Sequence, residues 1–267
     1  MMGSTPGAGP AAAAAAAGLA VGAGPAAAGL AVGAGPAAAG AGPAAAAAGL
    51  EAAAAPPPAE AEAVRWLAVL DFEATCWRDD RAKQSRETEV IELPTVLFEV
   101  RGAAREPAGE WRAFVRPTAN PVLTDYCVEL TGISQAQVDA AKPLASALAA
   151  HAAWLALVTR GAPPEQLLFV TCGDWDLGTC LPLELSNKGL RAPSAAYSRW
   201  INIKREFASE FRIRGRAPDM ADMLKLAGLR LEGRHHSGLD DSRNIGRILE
   251  LLWRRGRRSF EVRTAPR

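Results

Sequence analysis

The stretch WLAVLDF, residues 66–72, decides how the rest of the chain is read. It is a short apolar run of strand formers, and it predicts a central strand buried on both faces. Its end carries an anomaly. In DFEATC, residues 71–76, Asp71 and Glu73 stand two apart, so the alternation of a strand puts both carboxylates on one face. Like charges on one side of a buried strand cost free energy unless a cation or a proton neutralises them. Oxygen-only ligands suit Mg²⁺ or Mn²⁺ rather than zinc. A strand end already in solvent would carry the same pair harmlessly, and a D-x-E pattern alone does not choose between the two.

Outward from this strand, VIELPTVLFEV at 90–100 and GEWRAFVRP at 109–117 predict an antiparallel meander beside it. ISQAQVDA and PLASALAAHAAWLALV (143–158) predict helices. His151 in the second of these reads as a packed or surface helix residue rather than a ligand. QLLFVTC at 166–172 predicts another buried strand, and WDLGTCLPLEL after it begins as a helix, with Pro182 in a first turn or a kink. Ile245, Ile248, Leu249 and Leu252 form one apolar helical stripe, on a helix starting near Leu239. Strands in a meander, helices, a strand and helices again make an α/β layer fold.

The first 64 residues are a different material, almost wholly Ala, Gly and Pro, with no Lys, Arg or aromatic residue. GLAVGAGPAAA at 18–28 recurs unchanged at 29–39. Such a segment has too little bulky apolar surface to offset the entropy of ordering it, which predicts a disordered arm at 1–64 and a folded domain at 65–267 with a basic C-terminal tail. Pro25, Pro36 and Pro43 interrupt the Ala runs before any reaches membrane-spanning length, so no transmembrane helix and no membrane partner is expected. The arm lacks the basic start of a secretory signal and the Arg and Ser of a transit peptide. An intracellular place, cytoplasmic or nuclear, is expected, with organelle targeting by the arm left open.

All 30 basic residues lie in 65–267 against 26 acids there, the chain's 29 less Glu51, Glu60 and Glu62. That excess is too mild to establish a nucleic-acid partner. Arg254, Arg255, Arg257, Arg258, Arg263 and Arg267 form one cluster, and Arg212, Arg214 and Arg216 another. Either alone reads equally well as a solvated surface. Cys76, Cys127, Cys172 and Cys180 form no CxxC pair and no zinc quartet, and they read as the buried thiols of an intracellular protein.

Two further motifs carry acids at element edges. TCGDWDLG (171–178) offers Asp174 and Asp176 where a strand runs into a helix. Asp174 could be a helix cap; Asp176 is the better metal-site candidate, though periodicity alone does not separate them. GRHHSGLDDSRN (233–244) places His235 and His236 ahead of a helix whose first turn holds Asp240 and Asp241. A loop histidine and a carboxylate on the following helix can face one space, as a general base and a metal ligand must. A capped helix with two surface imidazoles is the plain alternative for that motif taken singly. The co-occurrence of all three motifs is what shifts the reading toward a site.

DFEATCW, IELPTVL, ELTGISQAQVD, TCGDWDLG, RWINIK and GRHHSGLDDSRN resemble the DEDDh family of 3′-to-5′ exonucleases, in the branch of the histone-mRNA 3′ exonuclease and the enhanced-RNAi exonucleases. The likeness runs from about residue 65 to about residue 256. It implies a ribonuclease H-like fold, a mixed five-stranded sheet flanked by helices. It also implies hydrolysis of RNA 3′ ends assisted by two divalent cations, Mg²⁺ or Mn²⁺, roughly 3.5–4 Å apart. By the same resemblance Asp71, Glu73, Asp176 and Asp241 are the metal-holding acids and His236 the general base, while His235 and Asp240 are scaffold or surface. Trp175 and the turn Thr131–Gly132–Ile133 are candidates for the 3′-terminal nucleotide. Trp175 reads equally well as core. The implied partner is single-stranded or 3′-overhanging RNA, held through the basic clusters. Some relatives carry a nucleic-acid-binding or zinc-binding module that is not seen here, so targeting falls to the nuclease domain, its tail or a further partner. Single-stranded DNA as substrate, or a module that shelters RNA 3′ ends without cutting them, are the rival readings.

Overall fold

A computed structural model of the chain describes residues 64–265. The predicted arm lies outside the described residues except Val64, which packs against the domain core.

The central strand is β1, Trp66–Val69, antiparallel to β3 (Val90–Arg101) on one side and parallel to β6 (Leu167–Thr171) on the other. Its side chains alternate between two cores. Trp66, Ala68 and Leu70 join one cluster, Leu67 and Val69 the other. The run therefore is buried on both faces, as its composition predicts. A short β2, Glu73–Ala74, also pairs with β3. β4 (Ala104–Arg116) completes the meander and reaches five residues further back than its sequence suggests. Pro107 explains the difference. It stands at a bulge, where the register passes from Leu97 opposite Gly109 to Phe98 opposite Pro107, one of the few strand positions that tolerates a proline.

The sheet order is β5-β4-β3-β1-β6-β7-β8, with β5 at Lys142–Pro143, β7 at Arg199–Asn202 and β8 at Val262–Thr264. This is the expected mixed α/β sheet. Its five-stranded body, β4, β3, β1, β6 and β7, is extended by the short pairings β2, β5 and β8.

On one face lie α4 (Leu144–Val158) and α5 (Leu181–Asn187); on the other lie α6 (Ile203–Glu210), α7 (Met220–Leu226) and α8 (Gly238–Arg254). Ile245, Ile248, Leu249 and Leu252 of α8 are all 0% exposed, which confirms the predicted stripe. Three shorter helices, α1 (Arg81–Arg86), α2 (Asp125–Thr131) and α3 (Gln135–Asp139), sit along the edge of the meander, where α2 and α3 enclose a small third core around Ile91, Cys127 and Ile133.

His151 is fully buried in α4, bridging Thr95 Oγ1 at 2.9 Å and Tyr197 Oη at 2.8 Å, and burial lowers its pKa to about 3. It is a packed core histidine. Among the described residues no helix is long and apolar enough to cross a membrane.

Candidate active site

The site grows from a break in the sheet. Leu70 N–H still donates to Val170 O at 2.9 Å, but the next strand amide to turn that way, Phe72 N–H, donates instead to Asp176 Oδ1 at 2.9 Å. A carboxylate has taken the place of a ladder partner. Val69 stands opposite Val96 and Glu73 opposite Glu92, so the unpaired stretch 70–72 faces Pro94, which has no N–H to leave unsatisfied. Asp71 lies inside this break, and Glu73 follows it two residues on.

Asp176 opens a π-helical turn, Asp176–Cys180, that connects β6 to α5; Leu181 N–H reaches back five residues to Asp176 O. Such widened turns are rare and gather at functional sites. Pro182 then occupies the first turn of α5, one of the two places its sequence allows. Asp174 is no side-chain cap. It accepts from Trp200 Nε1 at 2.9 Å and approaches Arg263 at 3.6 Å, which ties its loop to β7 and β8.

The third piece is the start of α8. A Cβ on Gly238 would stand 2.7 Å from Asp71 O, 3.0 Å from Pro94 Cγ and 3.3 Å from Glu92 Cδ, so only glycine lets the helix begin against the broken strand. Glu92, fully buried in β3, holds the helix from below. It accepts Gly238 N–H at 3.3 Å and Leu239 N–H at 3.2 Å, with Arg112 Nε at 2.8 Å. Anions are favoured there because the first amides of a helix have no internal partner. One turn on, Asp241 Oδ2 accepts His236 N–H at 2.8 Å, while Asp241 Oδ1 is buried with no hydrogen-bond partner. His236 itself has a left-handed backbone, φ 63°.

The result brings the ligand atoms of Asp71, Glu73 and Asp241 within 4.8 Å of one another, with Asp176 joined to the same strand end through Phe72. Their protons respond to the crowding. Asp71 is raised well above the usual carboxylate range, first by burial and then by Asp176, Asp241, Glu73 and Glu92. Glu73 is pushed up to about 9 by burial, Asp241 and Glu92. Asp241 rises to about 7 through burial, with the His236 amide pulling it back. Asp176 rises to about 6 through burial, opposed by the Phe72 amide. No Lys or Arg pairs with any of the four among the described residues. A cluster of buried oxygen donors with an orphaned Oδ1 and no internal counter-charge fits hard divalent cations. Burial, then His235 and Arg234, lowers the pKa of His236, so its imidazole is neutral and able to accept a proton at neutral pH.

The remaining predicted residues are placed differently. Trp175 is 41% exposed, which sets aside its reading as core. Thr131 and Ile133 turn inward: Thr131 Oγ1 donates to Cys127 O at 2.8 Å and accepts Ile133 N–H at 3.1 Å, and both residues are buried. Gly132 ends α2 with φ 72°, and the Arg234 guanidinium lies over it, donating to Glu129 O and Leu130 O at 2.7 and 3.2 Å. That turn therefore braces the histidine loop.

Of the basic clusters, the C-terminal one is largely tied down. Arg254 pairs with Glu250, Arg255 with Glu210, Arg257 with Glu206 and Arg263 with Glu261; Arg267 lies outside the described residues. Arg212, Arg214 and Arg216 are exposed without ion-pair partners among the described residues. The sequence reading missed Glu92, Gly238 and Arg234. A charged residue inside the apolar run of β3 was the available signal for Glu92.

An exonuclease family model of the RNase T type matches residues 68–249. The 3′-5′ exonuclease Snipper of Drosophila melanogaster is 36% identical over 202 residues, spanning 72% of this chain and 70% of that protein. ERI1 exoribonuclease 2 of Homo sapiens is 34% identical over 205 residues, 72% of this chain but only 29% of the longer relative. Among solved structures, the nuclease domain of 3′hExo, a DEDDh family member bound to rAMP, aligns with a TM-score of 0.67 at 30% identity, covering 76% of this chain and 98% of that one. The chain is a member of the RNase T-type, DEDDh family of 3′-to-5′ exonucleases, which are hydrolases.

Proposed function

We propose that this exonuclease removes nucleotides from the 3′ end of single-stranded or 3′-overhanging RNA, with Asp71, Glu73, Asp176 and Asp241 holding two divalent cations, Mg²⁺ or Mn²⁺, and His236 serving as general base. The observation that carries the chemistry is the convergence of Asp71, Glu73 and Asp241 to within 4.8 Å around a buried, unpartnered Asp241 Oδ1. When bound, the cations supply an activated water and neutralise charge on the phosphate and the leaving oxygen. The protein's own residues do the rest. Asp241 fixes the His236 backbone through its Oδ2, and the neutral imidazole, with a ring nitrogen within 4.8 Å of the Asp241 carboxylate, takes the proton of the attacking water. Asp176 both faces the site and holds Phe72 N–H, so one carboxylate ties metal holding to the shape of the strand break. Exposed Trp175, beside Asp176, offers a stacking surface for the last base. The Thr131–Ile133 turn borders the site through Arg234, which lies on Gly132.

RNA as substrate is supported by the relatives' names. Several are exoribonucleases, and a structure with a TM-score of 0.64 and 30% identity concerns 3′-end specific recognition of a histone mRNA stem-loop by a 3′-exonuclease. The deciding experiment digests 5′-labelled single-stranded RNA, and DNA of matched sequence, with Mg²⁺ and with chelator. Stepwise loss from the RNA 3′ end, abolished by chelator and by His236→Ala while RNA binding survives, is the expected outcome. Faster digestion of DNA would overturn the substrate, and a fully active His236→Ala would overturn the base.

A further inference from the structure

We propose that His235, His236 and Asp241 form a second site, overlapping the first at Asp241, for a borderline-soft transition-metal ion, zinc above all, and that its occupation switches the nuclease off. One ligand atom from each of the three lies within 4.8 Å of the other two. The imidazole rings stack beside Asp241, centroids 4.0 Å apart and planes at 19°, so one ring must turn for both in-plane lone pairs to meet a single ion. Ligands of a tetrahedral zinc sit roughly 3.3 Å apart at bond lengths of about 2.0–2.1 Å. Side-chain rotation of two loop residues, one exposed and one half-buried, closes that gap.

The carboxylate shared with the oxygen site also calls for a cation here. Asp241 is only 2% exposed, its Oδ2 is taken by His236 N–H, and its Oδ1 has no partner. A buried carboxylate oxygen in that condition calls for a positive ligand.

Donor chemistry separates this site from the neighbouring one. Asp71, Glu73 and Asp241 offer oxygen alone and suit Mg²⁺. Two imidazoles and a carboxylate, with water as a fourth ligand, suit zinc. Asp241 belongs to both groups, so the two kinds of ion compete for it. Zinc ligation also occupies the His236 lone pair that the reaction needs for a proton. The inhibitory half of the proposal rests on the nuclease reading above; the binding half does not.

The test compares the full chain with His235→Ala, an exposed residue that holds no metal in the proposed hydrolysis and whose loss leaves burial, the largest cause of the lowered His236 pKa, in place. Co²⁺ serves as a spectroscopic stand-in for zinc, since a tetrahedral nitrogen-bearing site absorbs visible light far more strongly than an octahedral oxygen one. The parent protein should show the strong band and lose RNA digestion on zinc titration at saturating Mg²⁺. His235→Ala should keep its Mg²⁺ activity, lose the band, and need roughly tenfold or more zinc for half-inhibition. A variant that binds cobalt and responds to zinc like the parent would overturn the site, as would a parent without the band or a His235→Ala that is inactive with Mg²⁺ alone. A band that His235→Ala abolishes, in a parent that digests no nucleic acid with Mg²⁺, would uphold the metal site and sink the nuclease reading instead.

Discussion

Replacing Gly238 by alanine sets two effects of opposite sign against each other. Helix propensity favours the change by up to about 1 kcal/mol, since glycine is the poorer helix former. Geometry opposes it. The new methyl would lie 2.7 Å from Asp71 O, where ordinary contact begins near 3.4 Å, and that oxygen is backbone that cannot rotate away. Either the start of α8 or the strand break must retreat by about 0.7 Å. Overpacking of this kind costs about 1–3 kcal/mol, so the net is a loss of up to about 2 kcal/mol, or a few degrees in Tm for a domain of this size. The functional loss should be larger than the thermal one. Retreat lengthens the Glu92 bonds to Gly238 and Leu239 and carries Asp241 and His236 away from Asp71 and Glu73 together. A misplacement of about 1 Å at a reacting centre costs on the order of 100-fold, so kcat should fall roughly 10- to 100-fold. Single-turnover release of 3′ nucleotides from labelled RNA at saturating Mg²⁺ measures the first quantity, and chelator-treated thermal unfolding the second. Gly246→Ala on the same helix is the control: its methyl would meet only the Phe98 ring at 3.1 Å, a side chain able to yield, so activity should persist. A Gly238→Ala protein with undiminished kcat and a raised Tm would refute the reasoning, because propensity would then have won and the helix start would not set the site.

Metal-free stability should fall as pH rises from about 7 to about 9, above the range in which the depressed His151 and His236 oppose the trend. Glu73, held at about 9, and Asp241, at about 7, bind protons more tightly folded than unfolded across that window, so the folded state loses ground as protons leave, whereas the low-held, paired Glu89 and Glu99 act only at more acid pH. Thermal unfolding in chelator reads this. Mg²⁺ should restore the loss most at the alkaline end and Glu73→Gln should flatten the slope, while a flat parent profile would contradict the electrostatics. Asp176→Asn keeps an acceptor for Phe72 N–H, so its chelator-treated Tm should hold or rise while kcat drops by roughly two orders of magnitude; a collapsed fold would show that the charge itself, not the acceptor, shapes the break. Trp175→Ala should leave Tm within about 2 °C, as for surface changes generally, and raise the RNA KM roughly tenfold, in line with stacking worth about 1–3 kcal/mol; an unchanged KM would remove Trp175 from substrate contact.

What the sequence reveals and what it hides divide along a physical line. β1 and the α8 stripe were legible because periodicity and burial are local properties, and their residues are buried as that periodicity requires. Asp71 and Glu73 stood out because charge at the end of an apolar strand is costly, while the resemblance to the family is what chose His236 and Asp241 over their neighbours His235 and Asp240. The residues that bring them together are ordinary in type and acquire their roles only from partners far along the chain. Phe72 N–H finds Asp176 across 104 residues, and Glu92 finds the amides of α8 across 146. No window on the sequence contains both ends of such a bond. The same distance hides the neighbour of the Thr131–Ile133 turn, since Arg234, which donates to Glu129 O just before it, lies more than a hundred residues on. Donors and acceptors that close a site over long separations leave their trace in pairs, so single-residue anomalies find the chemistry of this enzyme while its geometry needs the fold.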